Sequence, residues 1–252
     1  MKLVLLGTGG YYGNDQRKTA CLMLPEIGVI LDAGSGLFRI GNYVATDRLS
    51  IFLTHAHLDH VIGLTYLLGV LSPEVLAATT IYGEASRLAA VREHLFADAL
   101  FPVLPPVKFQ PIGMNCPLAG GGQLTHFPLK HPGGSIGFRL DWPAAAGSAS
   151  RSLAYVTDTT ADPAADYVEQ IRGVDLLVHE AYFLHDEHQW SDTVGHSCVE
   201  NVARVAACAQ VGRLVLVHMS PQLVDDAEFD LTAARRIFPA TELGRDGLEL
   251  EF

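Results

Sequence analysis

A histidine-rich segment constrains this chain more than any other feature, because it places three imidazoles and one carboxylate within six positions. These side chains belong to His55, His57, Asp59 and His60. They follow the apolar run Leu49–Leu53, which is typical of a buried strand that ends in a polar turn. His55 and His57 are two positions apart, so both rings leave an extended backbone on the same face, while Asp59 and His60 follow where the chain turns. The segment therefore offers ligands for two adjacent metal ions.

The types of donor indicate which kind of ion the segment would bind. Neutral imidazole and carboxylate without thiolate suit zinc or a similar divalent ion that is held for catalysis. The alternative is a solvated loop that is merely rich in histidine, but this segment lies between a buried strand and the apolar residues Val61–Leu64. Donor types do not separate zinc from manganese or iron. We therefore predict a divalent metal site and leave the metal open.

Three later residues share one position, the polar end of an apolar strand. They are His131 after residues 127–130, Asp158 after residues 153–157, and His218 after residues 214–217. Taken singly, each would more often be an ordinary core or surface residue. Strand ends bring distant residues to one edge of a sheet, as a composite site requires. Together with the first cluster, these three side chains supply the ligands that two metal ions would still need.

The pattern His-x-His-x-Asp-His at the end of a strand resembles the signature of the metallo-β-lactamase superfamily. The resemblance covers essentially the whole chain. It implies an α/β fold, a four-layer αβ/βα sandwich of two mixed β-sheets flanked by helices, formed as one domain over residues 1–252. The order of predicted elements agrees, because strands come first and helices then alternate with strands.

The resemblance also implies how the ligands are shared between two divalent ions. The first ion would take His55, His57 and His131. The second would take Asp59, His60 and His218, and Asp158 would bridge the two. Zinc is the first choice for both positions, with manganese and iron as alternatives.

Two further segments resemble the His-Glu-Ala-Thr and His-Ser-Thr motifs of ribonuclease Z and its phosphodiesterase relatives. They contain Glu180, within residues 176–181, and His196, within residues 195–197. In that branch the histidine faces the scissile phosphate and the glutamate holds it, and an aspartate equivalent to Asp32 supports the metal site from behind. The chain departs from the motifs at Tyr182 and Cys198, where the branch usually has threonine. Neither departure removes a proposed ligand or proton donor.

These resemblances imply a hydrolytic mechanism. Two ions that share a bridging hydroxide would lower the pKa of water towards neutrality, and that hydroxide would attack phosphorus. Asp59 would orient or deprotonate the nucleophile. His196, held by Glu180, would act as the general acid for the leaving group, since the unperturbed pKa of histidine lies close to neutral pH. We expect a dinuclear phosphodiesterase that acts on small, cyclic or nucleotide phosphodiesters.

Charge argues against a large polyanionic partner. The net charge is −11, with only four lysines, and the chain has no cluster of basic residues. Nucleic-acid binding draws much of its affinity from basic side chains that neutralise phosphates. The tRNA-processing members of the branch usually carry a basic arm, whereas residues 101–122 contain a single lysine. Extended RNA is therefore disfavoured as a substrate, although phosphodiester chemistry is not.

Three other functions stay open at this point. The first is a tRNA 3′-processing endonuclease, that is, a ribonuclease Z. The second is a β-lactamase or thioester hydrolase on the same fold, which would need no pair of His196 and Glu180. The third is a metal-binding module without activity, which the complete set of ligands argues against.

The cysteines and the N-terminus bear on the compartment. The four cysteines are scattered, without a Cys-x-x-Cys pair, and we expect free thiols in a reduced, cytoplasmic protein. The stretch Met1–Gly7 is too short for the apolar core of a signal peptide and is predicted to be the first strand, and no run is long enough to span a membrane. The resemblance implies a homodimer.

The local pattern predicts individual elements as well. Strands are expected at Leu3–Leu6, Ala20–Leu24, Val29–Leu31, Leu49–Leu53, 123–142, 151–157, Asp175–His179, Arg213–His218 and Leu248–Phe252. Helices are expected at Val61–Leu71, Ala85–Phe96, Ala164–Arg172 and Val199–Cys208.

Overall fold

The structure is a computed structural model that describes residues 1–144, 149–184, 191, 193–223 and 229–252. The chain divides into two compact units. The first unit contains Met1–Gly113 and Arg245–Glu251, and the second contains Met114–Gly244 and Phe252. Each unit is built on one mixed β-sheet with an apolar cluster of its own.

The sheet of the first unit has seven strands among the described residues. In sheet order they are β14 (Glu249–Glu251), β1 (Lys2–Gly7), β2 (Cys21–Leu24), β3 (Val29–Leu31), β4 (Ser50–Phe52), β5 (Thr80–Gly83) and β6 (Lys108–Pro111). Pairing is antiparallel from β14 to β3 and parallel from β3 to β6. The strands predicted in the first fifty residues and at the C-terminus are therefore confirmed, with small shifts at their ends. β5 and β6 were not predicted.

Short helical segments pack on this sheet. They are Pro25–Ile27, Ser35–Asn42, Leu58–Val61, Ile62–Tyr66, Leu67–Val70, Pro73–Ala77, Ala85–Ala90 and Val91–Leu95. The prediction of one helix over 61–71 is wrong, because the segment is split by a 3₁₀ turn at Ile62–Tyr66. The backbone N–H of Gly63 donates to the carbonyl of Ala33 at 2.8 Å instead of to a residue one turn earlier. Tertiary contact therefore interrupts the helical hydrogen bonds there.

Gly34 lets the backbone that follows β3 approach the histidine-rich segment His55–His60. A Cβ at this position would lie 2.2 Å from the carbonyl oxygen of Asp59 and 2.6 Å from Oγ1 of Thr19. Its φ of −70° suits any residue, so only the lack of space demands glycine. A methyl group would therefore push the motif away from the strand that supports it.

We expect Gly34→Ala to lower the free energy of unfolding by about 1–3 kcal/mol, as overpacking does elsewhere. Urea unfolding of the purified variant measures the change. Gly69→Ala is the matched control, because a Cβ there meets nothing within 4 Å. Gly69 lies inside the helix Leu67–Val70, where alanine should stabilise by roughly 0.5–1 kcal/mol. Equal behaviour of the two variants would contradict the packing argument.

The sheet of the second unit also has seven strands among the described residues. In sheet order they are β13 (Thr241–Leu243), β12 (Arg213–Val217), β11 (Leu176–Glu180), β10 (Arg151–Val156), β9 (Ser135–Trp142), β8 (Gly122–Leu129) and β7 (Asn115–Leu118). β10 to β13 run parallel, and β7 to β10 are antiparallel. The carboxyl ends of β10, β11 and β12 therefore meet at one edge of this sheet.

Helical segments of the second unit cover its sheet at Ala119–Gly121, Tyr167–Gln170, Val199–Ala209 and Thr232–Ile237. The predicted helix at 199–208 is confirmed, and its buried residues recur at helical spacing as Val202, Val205, Ala206 and Ala209. The helix predicted from Ala164 begins later, at Tyr167. Before it, the side chain of Asp162 accepts the N–H of Ala164 and its carbonyl accepts that of Ala165, so these residues form a turn that leads into the helix.

All four cysteines are free thiols, as the sequence predicts. Cys21 is buried, and burial raises the pKa of its thiol well above the usual value. Among the described helices, none has the length and apolar character that a membrane span needs.

Candidate metal centre

Three histidine rings of the first unit form a cluster where β4 ends. The ring centroids of His55 and His57 are 4.5 Å apart, and those of His55 and His60 are 4.3 Å apart. Asp59 joins the cluster through Oδ2, which lies 3.4 Å from Nε2 of His60. His55 and His60 are buried, whereas His57 is exposed. The structure therefore brings together all four residues of the predicted motif.

Asp32 and Thr54 orient two of these rings from behind. Nδ1 of His60 lies 2.8 Å from Oδ2 of the fully buried Asp32. Thr54 donates its hydroxyl to the same carboxylate at 2.9 Å, so its oxygen accepts from Nδ1–H of His55 at 3.0 Å. Both rings then carry the proton on Nδ1, which leaves Nε2 as the nitrogen that can bind a metal.

Asp59 is fixed by the turn that follows β1. The backbone N–H of Tyr11 donates to Oδ2 of Asp59 at 2.8 Å. Neither Thr54 nor Tyr11 was identified as a site residue from the sequence. The one local signal is that Thr54 directly precedes His55 of the histidine-rich segment.

The second unit gathers the strand-end residues into a second cluster. Asp158 follows β10 and His218 follows β12, and Nε2 of His218 lies 3.3 Å from Oδ1 of Asp158. Nε2 of His131, which follows β8, lies 3.5 Å from Oδ2 of the same carboxylate. His196 joins them, because its ligating atom and those of Asp158 and His218 all lie within 4.8 Å of one another. Asp158 therefore contacts both later histidines of the predicted ligand set.

Gly195 shapes the position of the His131 ring. Its carbonyl oxygen lies 3.0 Å from Nδ1 of His131, which places Nε2 on the Asp158 side. The φ of Gly195 is +72°, and a Cβ there would lie 2.4 Å from Cδ of Pro132 and 2.8 Å from Nδ1 of His131. Both the backbone conformation and the close approach require glycine.

The pair of Glu180 and His196 forms as the sequence predicts. Oε1 of the fully buried Glu180 lies 3.1 Å from Nδ1 of His196 and also accepts the N–H of Thr159 at 2.9 Å. Oε2 accepts the N–H of Tyr182 at 3.2 Å. A carboxylate held by two backbone donors fixes the histidine ring, so that Nε2 of His196 points away from Glu180.

Tyr182, one of the two departures from the family motif, has a structural role. Its ring stacks on His196 at a centroid distance of 4.9 Å and an interplanar angle of 18°. On the His218 side, the rings of His196 and His218 are 5.2 Å apart at 28°. Stacking on the tyrosine adds to the hydrogen bond from Glu180 in defining the plane of the His196 ring.

His196 also borders a cavity of about 570 Å³ that lies wholly in the second unit. The polar residues around it include Lys130, Thr159, Thr160 and Asn201, and two carboxylates, those of Asp162 and Asp166, also line it. This volume falls within the range of small-molecule sites.

Backbone strain coincides with these clusters. Among the described residues, non-glycine positions with positive φ are Tyr11, Asp32, Asp158, Gln210 and His218. Gln210 ends the helix Val199–Ala209, where a left-handed residue is ordinary. The other four belong to, or directly contact, a cluster of candidate ligands. Such conformations cost about 1–3 kcal/mol each and concentrate at functional sites.

His179 is a buried histidine outside both clusters, and both of its ring nitrogens are engaged. Nδ1 lies 2.7 Å from the carbonyl of Glu180, and Nε2 lies 3.1 Å from the hydroxyl of Tyr167. Burial lowers the pKa of His179 and raises that of Tyr167. The ring is therefore neutral and accepts a hydrogen bond from a neutral hydroxyl.

This arrangement predicts a loss of stability in acid. The unfolded chain binds a proton at His179 below about pH 6.5, whereas the folded chain does so only at lower pH, so stability falls as the pH drops through this window. We expect the free energy of unfolding to drop more from about pH 7.5 to about pH 5.5 in the original protein than in His179→Gln. Urea unfolding in the presence of a chelator measures the loss for both proteins. The contributions of the candidate metal ligands to this loss cancel, because both proteins carry the same ligands. Equal losses would contradict the prediction.

The donor set fits divalent metal ions. It consists of imidazoles and carboxylates, with Nδ1 of His55, His60 and His131 each bonded to an oxygen of the protein. Metal-binding histidines are usually held in this way through the ring nitrogen that does not bind the metal. A purely structural cluster would not need three rings fixed alike. The residues of each unit therefore fit a divalent metal ion.

Comparisons with known proteins agree with the fold. Residues 29–219 match the family model described as the beta-lactamase superfamily domain. A ribonuclease Z of Bradyrhizobium sp. (strain ORS 278) is 27% identical over 297 aligned positions, which cover 97% of each chain. The crystal structure of the metallo-beta-lactamase fold protein YhfI from Bacillus subtilis aligns with a TM-score of 0.77 at 19% identity and covers 99% of both chains. A diphosphatase from the PhnP family aligns with a TM-score of 0.74 at 20% identity, over 100% of this chain and 97% of its own.

These findings confirm the predicted fold class, with two mixed sheets of seven strands and flanking helices. They do not test the assignment of ligands to the two ions or the catalytic roles of Asp59, Glu180 and His196. Those assignments stay predictions, and so does the single domain over residues 1–252.

Proposed function

The chain belongs to the beta-lactamase superfamily and is a metal-dependent hydrolase, and we propose that it is a phosphodiesterase for small, cyclic or nucleotide phosphodiesters. One observation carries the proposal. Nδ1 of His196 lies 3.1 Å from the fully buried Glu180, and this histidine borders a cavity. Hydrolysis of a phosphodiester with a basic leaving group needs a proton donor, and an oriented histidine supplies one. A lactam or thioester hydrolase has no need of this pair.

The candidate ligands and Asp59 would each have a defined role in the reaction. His55, His57 and His131 would hold one divalent ion, Asp59, His60 and His218 the other, and Asp158 both. Bound ions supply Lewis acidity for a phosphoryl oxygen and lower the pKa of water. Asp59, oriented by the N–H of Tyr11, would accept a proton from the attacking water.

His196 would give its proton to the leaving oxygen from Nε2, because Nδ1 is bonded to Glu180. Glu180 would stabilise the protonated ring and hold its orientation. Tyr182 would keep the ring from rotating out of that plane.

The size and charge of the chain support a small substrate. A cavity of about 570 Å³ suits a nucleotide-sized molecule better than an RNA helix. A net charge of −11 repels an extended polyanion. A structural neighbour is a diphosphatase from the PhnP family, which supports hydrolysis at phosphorus for this chain as well.

Three further assignments belong to the same proposal. Zinc is the expected metal, with manganese and iron as alternatives. The cytoplasm is the expected compartment, in keeping with four free thiols. A homodimer is the expected assembly, by resemblance alone.

The proposal is tested by an activity screen on one metal-analysed sample. The screen contains bis(p-nitrophenyl) phosphate, 2′,3′-cyclic nucleotides, a precursor tRNA, a β-lactam and a thioester. We expect turnover of the phosphodiesters, loss of turnover with a chelator, and about two equivalents of divalent metal per chain, as a two-ion site requires. Turnover of the lactam or thioester alone would overturn the proposal.

Ribonuclease Z activity is the second candidate, because the Bradyrhizobium relative of that name aligns over 97% of each chain. A tRNA endonuclease would contact several phosphates, so its apparent affinity would fall steeply with salt. Cleavage of the precursor tRNA with that salt dependence would promote this candidate above the first. Turnover that depends little on salt would keep the small substrate in place.

A further inference from the structure

The turn after β1 exposes two adjacent tyrosines in the first unit. Tyr11 is 72% exposed and Tyr12 is 51% exposed, and their ring centroids are 5.6 Å apart at an angle of 60°. Leu58, inside the histidine motif, is a third apolar residue that is 67% exposed. Single exposed apolar side chains are ordinary, but adjacent aromatic rings beside a candidate site indicate a binding surface.

The backbone holds Tyr11 in a strained conformation. Its φ is +63°, in the left-handed region that bulky residues rarely adopt. The N–H of Tyr11 donates to Asp59 at 2.8 Å, and the N–H of Tyr12 donates to the carbonyl of Gly10 at 2.8 Å. A tyrosine in this conformation persists only where the surroundings impose it, and such strain concentrates at functional sites.

The same residue therefore does two things. Its amide fixes the carboxylate of Asp59, and its side chain stays in solvent instead of packing in the core. The amide of any residue could make the hydrogen bond, and glycine would make it without strain. What a tyrosine adds at this position is an exposed ring that can contact another molecule.

We propose that Tyr11 and Tyr12 form a stacking platform for the aromatic part of the substrate, a nucleobase or an aryl group. The inference rests on the proposed phosphodiesterase function and narrows its substrate class to phosphodiesters that carry such a group. Tyrosine rings suit this role because every base presents a π-face, and stacking needs little sequence or donor specificity. A phosphodiester of a plain sugar or lipid headgroup would gain nothing from the platform.

The experiment compares two substrates that differ only in the base. One is a 2′,3′-cyclic nucleotide, and the other is the 2,3-cyclic phosphate of O-methyl ribose. We expect Tyr11→Ala and Tyr12→Ala each to lower the ratio of kcat/KM between these two substrates by about tenfold, as loss of one stacked ring does elsewhere. Tyr11→Phe and Tyr12→Phe keep the ring and should keep the ratio.

Phe38→Ala is the matched control, since Phe38 is an aromatic residue of the same unit with 48% exposure. This substitution should leave kcat/KM for both substrates unchanged. A second readout is independent of turnover, because calorimetry measures the affinity of each variant for adenosine monophosphate. That affinity should fall with the alanine variants and not with the phenylalanine variants.

Three outcomes overturn the platform. The ratio could stay constant in both alanine variants, Phe38→Ala could lower it equally, or the tyrosine variants could abolish self-association in sedimentation, which would make the surface an interface between copies. Failure of the proposed function looks different, because the original protein would then hydrolyse no phosphodiester. Binding of adenosine monophosphate would still test the platform in that case.

Discussion

Replacing His196 by alanine should lower kcat for a phosphodiester with an alkyl leaving group by about 10²–10⁴-fold, the usual contribution of a positioned proton donor. The expected effect is large because Glu180 and Tyr182 already hold the ring in one orientation. An alkoxide is strongly basic and cannot leave without a proton. Steady-state kinetics with methyl and p-nitrophenyl esters of the same phosphate measure the effect.

The two leaving groups separate proton donation from metal binding. The p-nitrophenolate ion is weakly basic and leaves without a proton, so His196→Ala should slow the aryl ester much less than the alkyl ester. If His196 instead serves mainly as a ligand, both esters should slow equally and the bound metal should decrease. Glu180→Gln preserves the shape of the side chain and should give a smaller loss in the same direction. His94→Ala, on an exposed residue of the first unit, is the control and should change neither ester.

The site residues that were predicted from the sequence share a recognisable local context. The histidine motif is recognisable because its potential ligands are so close together in the sequence. Asp158 and His218 follow apolar strands at their ends. The parallel pairing of β10, β11 and β12 then brings the strand ends to one edge. A pattern of strands together with a motif was enough to predict these positions as candidate ligands.

The residues that orient the site could not be predicted in the same way. Thr54 contacts Asp32 across 22 positions, and Gly195 contacts His131 across 64. Such pairs depend on tertiary contact and leave no periodic signal in one sequence. Tyr182 departs from the motif in the sequence, and its stacking on His196 follows only from the fold.

The errors in the predicted strands and helices have a similar cause. The strand β6 (Lys108–Pro111) is mostly exposed and contains a proline, so its sequence lacks a strand pattern. The helix expected over 61–71 is apolar enough to be continuous, but the bond from Gly63 to Ala33 interrupts it. In both cases tertiary contact, and not local propensity, determines the secondary structure.

Asp158→Asn should reduce bound metal and should lower kcat/KM by more than about 100-fold, since loss even of an outer partner of a ligand costs about 10–100-fold. Asp158 contacts His131 at 3.5 Å and His218 at 3.3 Å, and its φ of +45° is one that asparagine tolerates as well as aspartate. The substitution therefore removes charge while it preserves shape and backbone.

A thermal shift provides the readout that does not depend on activity. A ligand that binds only the folded state, at a concentration of a hundred times its dissociation constant, stabilises that state by about 2.7 kcal/mol. Added zinc should therefore raise the Tm of the original protein, and it should raise that of Asp158→Asn clearly less. Asp175→Asn is the matched control, because Asp175 precedes β11 at the opposite end of the parallel strands and bonds Ser152. If zinc stabilises Asp158→Asn as much as Asp175→Asn, the carboxylate of Asp158 is not a ligand. The strain at its backbone would then need another explanation.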